Sequence, residues 1–202
     1  NYQILTVHTV DLSIAGSSNN WIEGNFFGSD ITGTTPTYGG SFLIRDGGSS
    51  NTFGTNGDGT DDVGERNLFM GHLGKDYAIT GYVWSDADLA AGGSNVIAGN
   101  YFGVDKTGRS CPGANIYGQV IAVASSSNRV GTNYDGVSDS EEANIIGCIN
   151  KLNSSDNPRG FIRFFGNINN NYIQGNYIGI SPFGDSLGTL VGTGKGAVSF
   201  MS

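Results

Sequence analysis

The chain has 202 residues, a formal charge of -8 and 37% hydrophobic residues, with 34 glycines and only 4 prolines. That apolar fraction is enough for a buried core, which excludes a disordered chain. The acidic balance and the scattering of the 10 basic residues exclude nucleic acid and anionic membrane as main partners, and no apolar run approaches the ~20 residues of a spanning helix.

Taken in chain order, the β-type runs fall at residues 10–14, 42–45, 77–84, 119–123, 161–165 and 197–201. Each is rich in β-branched and aromatic residues and bounded by Gly, Ser or Asn. No amphipathic helix is expected; residues 86–91 have room for one turn. Between these runs the chain repeats itself. Asn20-Trp21-Ile22-Glu23-Gly24-Asn25-Phe26-Phe27-Gly28 returns as Asn95-Val96-Ile97-Ala98-Gly99-Asn100-Tyr101-Phe102-Gly103, 75 residues on, and as Asn171-Tyr172-Ile173-Gln174-Gly175-Asn176-Tyr177-Ile178-Gly179, 76 further. Ser50-Asn51-Thr52-Phe53-Gly54-Thr55-Asn56 matches Ser127-Asn128-Arg129-Val130-Gly131-Thr132-Asn133, and Asn67-Leu68-Phe69-Met70-Gly71 matches Asn144-Ile145-Ile146-Gly147-Cys148, both 77 residues apart. A fixed period of this kind marks a stack of like units rather than separate domains. The expectation is one segment spanning 1–202, with units at about 10–84, 85–160 and a partial 161–202.

Placed in order, the strands give two alternating coil types, three strands per coil and about five coils. Parallel stacking at ~4.8 Å per strand makes a body roughly 25 Å long. Both chain ends fall inside strand patterns, so the ends are expected to be uncapped: either a part of a longer chain or a unit that stacks on its own kind.

The alternation of Asn-x-Ile-x-Gly-Asn-Tyr with Ser-Asn-x-x-Gly-Thr and Asn-x-Ile-x-Gly resembles the right-handed parallel β-helix of the pectin-lyase-like superfamily, and more narrowly the repeat segments of large secreted or cell-surface bacterial proteins. The resemblance implies an all-β, right-handed parallel β-helix solenoid. It leaves activity open, since that superfamily includes lyases, hydrolases, epimerases, tailspikes, adhesins and scaffolds.

Within the repeat, the asparagines at 20, 51, 67, 95, 128, 144 and 171 read as structural: an Asn amide bonds backbone at a turn and tolerates the left-handed conformation. Gly24, Gly99 and Gly175 read as sharp corners, and Ile22, Ile97, Ile173, Phe27, Phe102 and Ile178 as inward stacks. Phe26, Tyr101 and Tyr177, with Trp21 and Tyr172, are expected to face outward as a carbohydrate or protein contact surface. The matched loops carrying Asn56, Asp58, Asp61 and Asp62, and Asn133, Asp135 and Asp139, carry the alternating oxygens of a Ca2+ loop but lack its bidentate Glu, and Asx turns explain the same residues. Asp30 and Asp105 read as turn caps. Cys111 and Cys148 occur together in one unit and are absent together from another, which points to a disulfide and an oxidising compartment, extracellular or at the cell surface. Asn153-Ser154-Ser155 is a glycosylation sequon.

No catalytic residue is assigned. His8 and His72 lie in no local motif, and the irregular segments 75–93 and 151–166, the latter with Lys151, Asp156, Arg159 and Arg163, are where a site would break the repeat. The functional expectation is a non-enzymatic structural or adhesive segment of an extracellular surface or filament protein, requiring no cofactor, with itself as partner end to end or laterally and no membrane insertion. The alternative is a polysaccharide-active β-helix acting on an acidic or neutral glycan.

Overall fold

The structure, a computed structural model, describes residues 10–12, 18–36, 42–44, 48–70, 83–85, 93–112, 116–117, 120–150, 161–166, 168–188 and 198–201. Among these residues it is all β, with no helix. The first sheet has six strands in the order β1 (Val10–Leu12), β4 (Phe42–Ile44), β7 (Val83–Ser85), β11 (Ile121–Val123), β15 (Ile162–Phe165) and β18 (Val198–Met201). The second aligns β2 (Trp21–Ile22), β5 (Thr52–Gly54), β8 (Val96–Ala98), β12 (Arg129–Gly131) and β16 (Tyr172–Gln174). The third aligns β3 (Phe26–Phe27), β6 (Leu68–Phe69), β9 (Tyr101–Phe102), β13 (Ile145–Ile146) and β17 (Tyr177–Ile178). Every strand pairing within these three sheets is parallel. The chain thus visits the first, second and third sheets in that order five times before β18. A separate parallel pair, β10 (Ile116–Tyr117) with β14 (Ile149–Asn150), was not legible in the repeat.

Parallel pairing puts repeat-equivalent residues in columns. In the second sheet Ile22, Phe53, Ile97, Val130 and Ile173 line up on one face, and in the third Phe27, Phe69, Phe102, Ile146 and Ile178 do the same. These columns meet Ile121, Val123, Ile162 and Phe164 of the first sheet in one core. Phe69 stacks between Phe27 and Phe102, ring centroids 4.9 Å apart on both sides. That spacing, close to the strand repeat, holds near-parallel rings in contact and adds ~0.5–1.5 kcal/mol per pair beyond burial.

The corners are held by asparagine in two ladders. In the first, the backbone N–H and side-chain amide of Asn20 both donate to Asn51 Oδ1, Asn51 donates likewise to Asn95, Asn95 to Asn128 and Asn128 to Asn171, all at 2.8–3.1 Å. The second runs through Asn25, Asn67, Asn100, Asn144 and Asn176. Asn67 and Asn144 therefore belong with the Gly-Asn corners, not with the asparagines that open the second sheet. The left-handed residues are also not the ladder asparagines themselves but those just before them, Asn19, Ser50, Ser94, Ser127 and Asn170, with φ between 55° and 64°. That kink frees the following asparagine to aim its amide along the stack.

Gly131 shows how tight these corners are. Its φ is +97°, and a Cβ there would collide with the Gln174 carbonyl oxygen.

Candidate functional site

The functional candidates lie on strands of the second and third sheets and on the loops that follow them. After the third sheet, three matched loops begin at Asp30, Asp105 and Ser181 and fold back over that sheet. Asp30 Oδ1 accepts the N–H groups of Thr34 and Thr35, Asp105 Oδ1 those of Thr107, Arg109 and Ser110, and Ser181 Oγ those of Phe183 and Asp185. The turn-cap reading of Asp30 and Asp105 thus extends to Ser181, which supplies one oxygen in place of a carboxylate. The loops also stack on each other: Lys106 N–H donates to Gly33 O, and Arg109 pairs with Asp185 at 2.7 Å and lies over the Phe183 ring at 4.6 Å. Arg109 holds the Asp185 carboxyl below its ordinary range, with the Ser181 hydroxyl assisting.

These loops correct the reading of the aromatic surface. The column Phe26, Leu68, Tyr101, Ile145, Tyr177 faces away from the inner core, but from Leu68 onward it joins Met70, Val104, Cys148 and Leu187 in a second apolar cluster beneath the loops. Tyr101 is only 7% exposed, so it is no contact residue. Gly108 packs so close to it that a Cβ would sit 3.0 Å from the Tyr101 ring and 2.7 Å from Ile145, and Arg66 stacks on the ring at 4.1 Å while donating to Gly99 O. Burial accordingly raises the Tyr101 phenol above its usual range, against the pull of Arg66. Tyr177 is half-buried, whereas Phe26 is exposed, as expected. Trp21 and Tyr172 are exposed, as expected, but occupy the first and last strands of the second sheet, four pairings apart, or ~19 Å. Thr52, Val96 and Arg129 stand between them, so the aromatics form no continuous surface. Sequence alone could not tell a solvent face from one roofed by loops, since both show the same period.

The Cys111–Cys148 disulfide is present, with Cα atoms 5.4 Å apart. It ties the end of the second covering loop to Cys148, two residues past β13, at the edge of the apolar cluster.

Between the second and third sheets, residues 55–66 and 132–143 form the two acidic loops, and they repeat bond for bond. Thr55 Oγ donates to Asp62 as Thr132 Oγ does to Asp139; the N–H groups of Asn56 and Asn133 donate to Glu65 and Glu142; Asp58 N–H donates to Asn56 Oδ1 and Asp135 N–H to Asn133 Oδ1. Asp58 and Asp135 then cap the N–H groups of Thr60 and Val137. Asn56, Asp58, Asn133 and Asp135 thereby turn their oxygens into Asx turns, Asp62 and Asp139 accept threonine hydroxyls, and among the described residues no group of three His, Cys, Asp or Glu side chains is placed to hold a metal ion. Glu65 and Glu142, which the sequence reading did not single out for this, are the carboxylates that close the loops; their identical offset from the Ser-Asn element was the available signal.

Two bonds join these loops to the body and to each other. Glu142, fully buried, pairs with Arg129 at 2.5 Å. Ser138 Oγ donates to Asp62 Oδ2 at 2.5 Å, across 76 residues of sequence. Desolvation pushes the Asp62 carboxyl up, but the Ser138 and Thr55 hydroxyls and backbone donors outweigh it, so its pKa lies below the ordinary value. Glu23 moves the other way, raised by burial and by the neighbouring Glu65.

His8, His72, Lys151, Asp156, Arg159 and the sequon at Asn153 lie outside the described residues; Arg163 falls in β15, paired in register with Ala122 and Ser199. Among the described residues no helix is long and apolar enough to cross a membrane. Comparison with protein-family models, with curated proteins and with solved structures finds no match for this chain.

Proposed function

We propose that this chain is a right-handed parallel β-helix of the kind its repeat resembles, and that it serves as a non-enzymatic structural or adhesive segment of an extracellular or surface protein. The observation that carries this reading is the pair of asparagine ladders running through all five circuits. Ten side chains are committed to holding successive turns together, and the right hand is the one favoured for parallel crossover connections. The disulfide supports an oxidising compartment. The ladders are also directional, each asparagine donating to the next and accepting from the one before, which supports head-to-tail self-association over face-to-face pairing.

The alternative, a polysaccharide-active protein, draws on the exposed Trp21 and Tyr172. Purified protein incubated with acidic and neutral polysaccharides, assayed for unsaturated and reducing ends and imaged for rods by electron microscopy, separates the two. Rods or inert particles without product fit the structural role; steady release of chain ends overturns it.

A further inference from the structure

Asn56-Gly57 is the single Asn-Gly dipeptide in the chain. An unhindered glycine nitrogen can attack the preceding side-chain amide, and this one sits among groups placed to help. Gly57 N–H donates to Thr55 Oγ at 2.9 Å, and the Thr55 hydroxyl donates in turn to the Asp62 carboxylate at 2.5 Å. The Asn56 Oδ1 atom accepts Asp58 N–H at 2.7 Å. Its Nδ2 faces carboxylate oxygens of Asp58 and Glu65, both at 3.4 Å.

We propose that Asn56 is a self-deamidation site, driven by this loop. The Gly57 amide proton passes through the Thr55 hydroxyl to Asp62, and Gly57 N forms a bond to Asn56 Cγ. The charge that develops on Oδ1 meets the Asp58 N–H, as an oxyanion meets a backbone donor. The Cγ–Nδ2 bond then breaks, the nitrogen regains a proton and leaves as ammonia, and water opens the resulting succinimide to aspartate or isoaspartate.

The repeat supplies its own control. Around Asn133 the same relay is present, with Tyr134 N–H on Thr132 Oγ and that hydroxyl on Asp139, yet the attacking nitrogen belongs to a tyrosine whose side chain hinders the approach. The ladder asparagines are held by donors on their Oδ1 atoms and are followed by bulkier residues than glycine. Among these asparagines, conversion is therefore confined to position 56. Its product replaces an amide donor with a carboxylate between Asp58 and Glu65, so the loop braced by Ser138 loosens with the age of the molecule. This inference is independent of the proposed structural role.

The test incubates the folded protein and a synthetic peptide of residues 53–60 side by side at mildly alkaline pH, with mass-spectrometric peptide mapping and an isoaspartate-specific methylation assay. The expected result is several-fold faster conversion of Asn56 in the protein than in the peptide, with Asn133 unchanged. Asp62→Asn removes the relay's terminal base and slows conversion to the peptide rate or below, whereas the matched Asp139→Asn leaves Asn56 unaffected. A native protein that converts Asn56 no faster than the peptide, or a folded Asp62→Asn protein that converts it at the parent rate, overturns the proposal.

Discussion

Asn100 is the rung at which the ladder account is most exposed to experiment. It is fully buried, and its Nδ2 donates to Phe53 O at 2.9 Å, Ala98 O at 3.0 Å and Asn144 Oδ1 at 3.2 Å while its Oδ1 accepts from Asn67 Nδ2 at 3.0 Å. Asn100→Ala removes all four bonds and leaves the Phe53 carbonyl without this donor in a dry corner. At a net ~1 kcal/mol per bond, with part of the amide's desolvation recovered, the loss is about 3 kcal/mol. Asn25, in the same ladder but exposed, donates its amide only to Glu23 O and Asn67 Oδ1, so Asn25→Ala costs about 1 kcal/mol or less. Asn100→Asp keeps the volume but turns acceptors toward three acceptors, and at neutral pH it costs more than alanine, which separates lost hydrogen bonds from a simple cavity. Urea unfolding followed by circular dichroism reads all three. Equal losses for Asn25→Ala and Asn100→Ala, or an aspartate milder than the alanine, would refute the reasoning.

Other outcomes follow from the loops. Glu142→Ala strands the Arg129 guanidinium and the Asn133 N–H, a loss of roughly 3 kcal/mol in the same unfolding assay, whereas Arg109→Ala, at an exposed pair, leaves the midpoint unchanged. Because the Asp62 carboxyl is depressed in the folded state, its contribution is present above its unfolded pKa of about 4 and is lost as pH falls through the folded value; an Asp62→Asn protein should show a shallower acid-side decline below about pH 4. Reducing Cys111–Cys148, which closes a loop of 37 residues, removes up to about 4 kcal/mol by the chain-entropy relation, seen as a lower thermal midpoint that returns on reoxidation.

The all-β, parallel character was legible because strand-length runs recur at one period, and the inward columns followed from the same alignment, down to Phe27, Phe102 and Ile178. The disulfide was legible because two cysteines vary together between units. What the period concealed was depth. Tyr101 and Trp21 both lie in outward columns, but only Tyr101 is roofed by a covering loop, and Gly108, which makes the close approach possible, carries no hydrophobic signal. Asn67 was grouped with Asn20 because both open a short apolar run, yet the run after Asn67 enters the third sheet and the run after Asn20 the second. The loop-closing roles of Glu65 and Glu142 were hidden for another reason: the partners they hold are backbone N–H groups and, for Glu142, the arginine that opens the preceding strand, neither of which leaves a local pattern.

Distance measurement along the second sheet tests the central claim most directly. Spin labels at the exposed Trp21 and Tyr172 positions, four pairings apart, should give a single narrow distribution near 2 nm once the label arms are allowed for, and moving the second label from 172 to 129 should shorten it by about one strand spacing. A broad distribution, or a separation that does not fall when the label moves one strand closer, would contradict a body of parallel circuits stacked in sequence order.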